Sequence, residues 1–175
     1  GLCGGYSLTE TLDSCFKRSS TNLGSSSKYP ATRNYDKRGI LSSVESVNPG
    51  YYNWTKVYIP YCDGSLHQGS RSAPVSYKNK DLYFRGSNNT IETLRHLNET
   101  ISLFGQSKKV LVTGVSAGAV ATYLWSNYIF DNSLSKDVIS VPDSGIFINQ
   151  FVNPFSGKQE MVDSRQALRK IVNTE

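Results

Sequence analysis

Five residues past the middle of the chain, Gly114-Val115-Ser116-Ala117-Gly118, match the pattern Gly-x-Ser-x-Gly. In a nucleophile elbow a strand feeds a sharp turn with the serine at its apex, and a helix leaves at once. The flanks fit: Val110-Leu111-Val112-Thr113 reads as a buried strand, and apolar residues recur at helical spacing after Ser116. A serine at such an apex has a strained backbone with neighbouring segments close by, so side chains at Gly114 and Gly118 are expected to clash. The helix N-terminus places Ser116 in a positive field, and the Ala117 N–H can face a developing oxyanion. The same string also fits an ordinary Gly/Ser turn between strand and helix, as in many phosphate-binding loops.

A serine nucleophile needs a general base, normally a histidine oriented by an acid. On elbow-bearing folds the chain order is Ser, then acid, then His. Both histidines, His67 and His96, precede Ser116. His67 falls in the loop Ser65-Leu66-His67-Gln68 and His96 on a helical stretch, so each reads as solvent-facing rather than as a base. Asp143 follows a strand and could serve as the acid, or it organises the turn Asp143-Ser144-Gly145. The sequence thus offers a nucleophile without its base.

The elements that must position Ser116 can be read from periodicity. Residues 17–50, rich in Ser, Gly, Asn and Pro, read as loop. Residues 56–62 read as a strand, with Pro60 arguing for an edge or an irregular end. A second short strand is predicted at Leu82-Tyr83-Phe84. A helix is predicted from Asn89 to Phe104, with capping candidates from Ser87 to Thr90 and a stop at Gly105. Residues 110–130 carry no charge, a length that could span a bilayer. The Gly-rich break near its start favours strand, turn and helix, with Ala117, Val120, Ala121, Leu124, Trp125 and Tyr128 as the buried stripe. A further strand covers Val138-Ile139-Ser140-Val141. Strands alternating with helices predict an α/β fold, a mostly parallel sheet covered by helices on both faces. Tyr51, Tyr52 and Trp54 read as core.

Composition bounds what remains. The chain has 175 residues, 38% hydrophobic and 19% charged, with mean hydropathy −0.39, which excludes a chain too polar to collapse. The net charge is +5, and it sits in residues 1–87 as scattered pairs such as Lys17-Arg18 and Lys37-Arg38. No contiguous stripe tracks phosphates, so nucleic acid is not an expected partner. Cys3 and Cys15 lie close enough in sequence for a disulfide contributing about 2–4 kcal/mol. Cys62 is left over, with a partner elsewhere or a free thiol. No Cys/His cluster points to a metal, and no cofactor is implied. Three sequons, at Asn53, Asn88 and Asn98, favour the secretory pathway.

Several stretches taken together resemble the pectin acetylesterase family, which includes the Notum-type carboxylesterases. They are Gly39-Ile40-Leu41-Ser42-Ser43, Asn48-Pro49, Asn53-Trp54, Tyr61-Cys62-Asp63-Gly64, Phe84-Arg85-Gly86, Gly114 to Gly118 and Asp143-Ser144-Gly145. The resemblance implies an α/β-hydrolase-like fold, secretion and hydrolysis of O-acyl esters, here most simply acetyl groups on a polysaccharide such as pectin. It makes Ser116 the nucleophile and the Ala117 N–H one oxyanion donor. Gly1-Leu2-Cys3 is similar to the tail of the family's G-G-W-C segment, so the Gly1 and Leu2 backbone would supply the other donors, with Leu2 replacing the usual Trp in the pocket wall. Cys3 and Cys15 are similar to a family disulfide, and Cys62 would pair upstream of Gly1. Val115 stands where many members have Cys, and Ala119 where many have a second Gly.

In the family the triad Asp and His come later than Asp143, which would place both beyond Glu175. Residues 1–175 are therefore expected to be part of a single esterase domain, incomplete at both ends, inactive alone and monomeric. The rival reading is a non-catalytic homologue that binds glycan or acylated protein.

Overall fold

The computed structural model describes residues 3–4, 7–36, 39–106 and 108–146, with the backbone of 150–152 and 159–161. These fall into two compact units, residues 27–60 and the remainder.

In the larger unit, helix α1 (Leu8–Ser19) starts with a capping box: Ser7 Oγ accepts from the Glu10 N–H, and the Glu10 carboxylate accepts from the Ser7 N–H. This reciprocal pairing satisfies two end donors and fixes where the helix begins. Strands β1 (Val75–Tyr77) and β2 (Lys80–Leu82) form an antiparallel hairpin. Its turn residues Lys78 and Asn79 have φ of 47° and 60°, the left-handed backbone that a two-residue hairpin loop requires. The disulfide Cys3–Cys15, Leu12, Leu82 and Phe84 form one buried cluster, against which Phe16, Val75 and Tyr77 pack. The strand thus ends at Leu82 rather than covering Leu82-Tyr83-Phe84.

Helix α2 spans Gly86–Ile101, three residues earlier at each end than the sequence predicts. None of Ser87 to Thr90 caps it. The Gly86 N–H donates to Asp63 Oδ2 at 2.6 Å, so a carboxylate from a distant turn fixes the start. At the other end Ser102 takes a left-handed conformation, and Asn98 Oδ1 accepts from the Phe104 N–H.

Strand β3 (Val110–Val115), helix α3 (Ala117–Asn132) and strand β4 (Val138–Asp143) follow in one run. β3 and β4 pair in parallel from Val110 opposite Val138 to Val115 opposite Asp143. α3 is the crossover between them and packs on both. β3 is only half-buried. On α3 the buried residues are Ala117, Ala119, Thr122 and Ile129, while Leu124 and Tyr128 are exposed. The predicted stripe holds at Ala117, is half-buried at Val120, Ala121 and Trp125, and fails at Leu124 and Tyr128: the helix is apolar on most sides, so periodicity alone does not select its inner face. The backbone of β5 (Gln150–Val152) and β6 (Gln159–Met161) forms a separate antiparallel pair.

Residues 27–60 hold together through polar contacts and aromatic rings. The buried Asn48 amide donates to the carbonyls of Ile40 and Ser42, both at 2.9 Å. Tyr51 packs edge-on against Trp54, and with Tyr52 these rings are half-buried. Residues 17–50 carry the end of α1 and two 3₁₀ turns, close to the loop expected. The strand predicted at 56–62 is absent, since no ladder forms there and Pro60 withholds a donor.

Candidate active site

Ser116 is the single residue between the last residue of β3 and the first of α3. Its φ of 56° and ψ of −111° place a non-glycine residue in a sparsely populated region, at a cost of about 1–3 kcal/mol. The turn holds it there. The Ser116 N–H donates to the Asp143 carbonyl at 3.1 Å, and the Ser116 carbonyl accepts from the N–H groups of Ala119 and Val120. The Ser116 side chain makes no capping bond, so its hydroxyl is exposed at the mouth of the helix and uncommitted. Ala117 opens α3, where helix geometry leaves N–H groups without intrahelical acceptors.

The two glycines differ. A Cβ on Gly114 would lie 2.5 Å from the Gly118 carbonyl carbon and oxygen, so the strand can approach the helix only without it. A Cβ on Gly118 would meet nothing within 4 Å among the described residues. The expected clash exists at Gly114 and is missing at Gly118.

Asp143 ends β4 beside the elbow, and its Oδ1 accepts from Ser144 Oγ at 2.8 Å. Gly145 follows, and a Cβ there would run into Ala119 Cβ, so the chain after β4 lies directly on the first turns of α3.

His96 lies exposed on α2, as expected. His67 does not face solvent. It is 8% exposed, stacked on Tyr61 with ring centroids 4.9 Å apart. Burial pushes its imidazole below the ordinary value, against a smaller opposing pull from Asp63. Trp125 Nε1 donates to the His67 carbonyl at 3.3 Å, tying this loop to the third turn of α3 rather than to its start. Among the described residues no hydrogen bond joins either histidine to Ser116.

Asp63 is the residue that sequence reasoning undervalued. Its carboxylate accepts from the N–H groups of Ser65 and Gly86 and from Ser65 Oγ. It thereby holds the 63–69 turn against the N-terminus of α2. Asp63-Gly64 is legible as a turn, but the link to Gly86 is tertiary. Cys62 beside it is a half-buried free thiol, raised by burial and then by the Asp63 charge. Cys3 and Cys15 are joined as a disulfide. Gly1 and Leu2 lie outside the described residues. Among the described residues no three metal-binding side chains gather, and no helix is long and apolar enough to cross a membrane.

The sequence profile of the pectinacetylesterase family matches residues 1–174. Pectin acetylesterase 5 of Arabidopsis thaliana is 37% identical over 143 residues, covering 79% of this chain and 32% of its own length. The palmitoleoyl-protein carboxylesterase NOTUM of Mus musculus is 38% identical over 114 residues, covering 64% of this chain and 21% of its own length. The crystal structure of the Wnt deacylase Notum from Drosophila superposes with a TM-score of 0.75 at 24% identity, over 91% of this chain and 47% of that one. The chain spans about a third of the length of the plant relatives it matches. The fold is thus the α/β-hydrolase-like fold of Notum, present in part.

Proposed function

The chain belongs to the pectinacetylesterase family, and from that premise we propose that it contributes the nucleophile of a secreted serine carboxylesterase acting on O-acyl esters. The observation that carries this reading is Ser116 itself, strained at a strand-to-helix apex with its hydroxyl free of any capping bond. Strain of this kind persists where the surroundings over-determine it and the side chain has a task.

In the proposed mechanism Ser116 Oγ attacks the ester carbonyl carbon and its proton passes to a histidine base. The carbonyl oxygen takes the negative charge. It lies against the Ala117 N–H at the positive end of α3, with the Gly1 and Leu2 N–H groups completing the hole. Collapse expels the alcohol of the substrate, and water then hydrolyses the acyl-enzyme. Neither His67 nor His96 hydrogen-bonds Ser116 among the described residues, so the proposal assigns the base to neither of them.

The most economical substrate is an acetylated polysaccharide, because the pectin acetylesterase relatives match over 79% of the chain. The Cys3–Cys15 disulfide and the exposed sequon residues Asn53, Asn88 and Asn98 support a secretory route. The test is hydrolysis of an acetylated pectin and of a small acetyl ester by the protein at its natural length. Ser116→Ala is expected to lower kcat/KM by at least about 10³-fold while leaving the circular dichroism unchanged. Unchanged turnover in that variant contradicts the assignment. An inert wild type that binds glycan with or without Ser116 is a binding protein instead.

A further inference from the structure

Two successive residues, Leu66 and His67, have φ of 58° and 60°. The left-handed region is uncommon for any non-glycine residue and an outlier for a bulky one such as leucine. In the β1–β2 hairpin the same backbone joins two paired strands, whereas no strand flanks Leu66 and His67. Both residues are buried, each 8% exposed. The turn is closed from within: the Gln68 N–H donates to the Ser65 carbonyl at 3.1 Å, and the Leu66 N–H to the Tyr61 hydroxyl at 2.8 Å. Strain of this kind persists only where the surroundings over-determine it, and it gathers where function demands a fixed geometry.

Three segments supply those surroundings. First, the Cys3 N–H donates to the Gly64 carbonyl at 3.2 Å. Gly64 has φ of 74°, and a Cβ there would run into Cys3 Sγ, so the two chains lie this close only because it is glycine. Second, the start of α2 is held at both ends of the turn. The Gly86 N–H donates to the Asp63 carboxylate, and the Ser87 N–H donates to the Gly69 carbonyl at 2.9 Å. Third, Trp125 Nε1 donates to the His67 carbonyl at 3.3 Å, with the Tyr128 ring edge-on to the indole. Trp125 lies eight residues beyond Ala117, about 12 Å along a stiff helix. A hold at Trp125 therefore limits how far α3 can tilt about its Ser116 end.

We propose that the turn of residues 63–69 is a clamp that fixes the segment ending at Cys3 against α3, and so sets the spacing of the oxyanion donors, with Gly64 and Trp125 as positioning residues. In the proposed mechanism the donors come from both sides of this clamp. Ala117 opens α3, and Gly1 and Leu2 lead directly into Cys3. Among the described residues no hydrogen bond joins Cys3 to α3 directly, so the turn is the relay between them. Such donors act only when held within about 0.5 Å of the productive geometry. The inference rests on the esterase reading for the purpose of the clamp. The clamp itself rests on contacts within the chain.

The experiment replaces Trp125 by β-(3-benzothienyl)alanine in the protein at its natural length, putting sulfur where the indole N–H stood and keeping the shape of the ring. Turnover of a small acetyl ester and amide exchange by NMR are then compared with wild type. The replacement is expected to lower kcat at least about tenfold while KM stays within about twofold, because a displaced donor weakens the transition state more than the bound ester. Exchange at the Cys3 N–H should accelerate at least about tenfold, with amides in the second half of α2 keeping their rates. Gly64→Ala is expected to show the same split between kcat and KM. With an active wild type, unchanged kcat on replacing Trp125, or a raised KM at unchanged kcat, overturns the proposal. A wild type inert to the ester sinks the esterase reading, and exchange at Cys3 then decides the clamp: acceleration on replacing Trp125 upholds it, and an unchanged rate overturns it.

Discussion

The backbone N–H of Ser116 donates to the carbonyl oxygen of Asp143 at 3.1 Å. This one bond extends the β3–β4 pairing by a residue and ties the apex of the elbow to the end of the neighbouring strand, where Val115 stands opposite Asp143. The strained φ of Ser116 is thus fixed from the strand side by Asp143 and from the helix side by the Ala119 and Val120 N–H groups. A residue on such a mount keeps its position without any side-chain bond of its own.

The two elbow glycines should respond differently to alanine. Gly114→Ala puts a methyl 2.5 Å from the Gly118 backbone and is expected to destabilise by about 1–3 kcal/mol, as overpacking does. Gly118→Ala meets open space on the first turn of α3 and should be neutral, or stabilising by up to about 1 kcal/mol through helix propensity. Thermal unfolding of both variants checks this, and equal losses would contradict it.

Asp63 carries the join between its own turn and α2. Asp63→Asn keeps the size but removes the charge that answers the Ser65 and Gly86 N–H groups. The expected cost is about 1.5–3 kcal/mol, the range for hydrogen bonds to a charged group. Amide exchange should show faster opening at Gly86 and the first turn of α2, with Val110 to Val115 little changed. Uniform acceleration across both regions would mean that Asp63 is not a local anchor.

His67 makes stability depend on pH. Burial holds its imidazole neutral below the ordinary value of 6.5. The unfolded chain therefore takes up a proton near pH 6.5 while the folded chain still resists it. Its contribution is fully present above that pH and is lost as pH falls through the lowered folded value. His67→Asn does not titrate and tolerates the φ of 60°. Unfolding midpoints measured from about pH 8 to 5 should fall less steeply in this variant. The same slope in both proteins would assign the pH dependence to other groups.

The run from β3 through Ser116 and α3 to β4 was legible because each part carries its own signal. A β-branched run, a Gly-x-Ser-x-Gly turn and a second β-branched run follow one another, and the Gly-rich break outweighs the rival reading of a membrane span. Where the sequence misled, the deciding contact came from far along the chain or the pattern was degenerate. α2 begins at Gly86 because Asp63, 23 residues earlier, accepts its N–H. The inner face of α3 was misread because apolar residues surround it, so Thr122 and Ile129 are buried while Leu124 is not. His67 looked exposed as a polar residue in a short loop, and only the Tyr61 ring and Trp125 explain its burial. α1 was within reach, since Ser7 and Glu10 stand at capping-box spacing.

The central claim is that Ser116 is an activated nucleophile. It is tested most directly by treating the protein at its natural length with a fluorophosphonate probe and mapping the adduct by mass spectrometry. The account predicts one adduct, on Ser116, and none in Ser116→Ala. An adduct on another residue, or a wild type that resists the probe as fully as the variant, would contradict it.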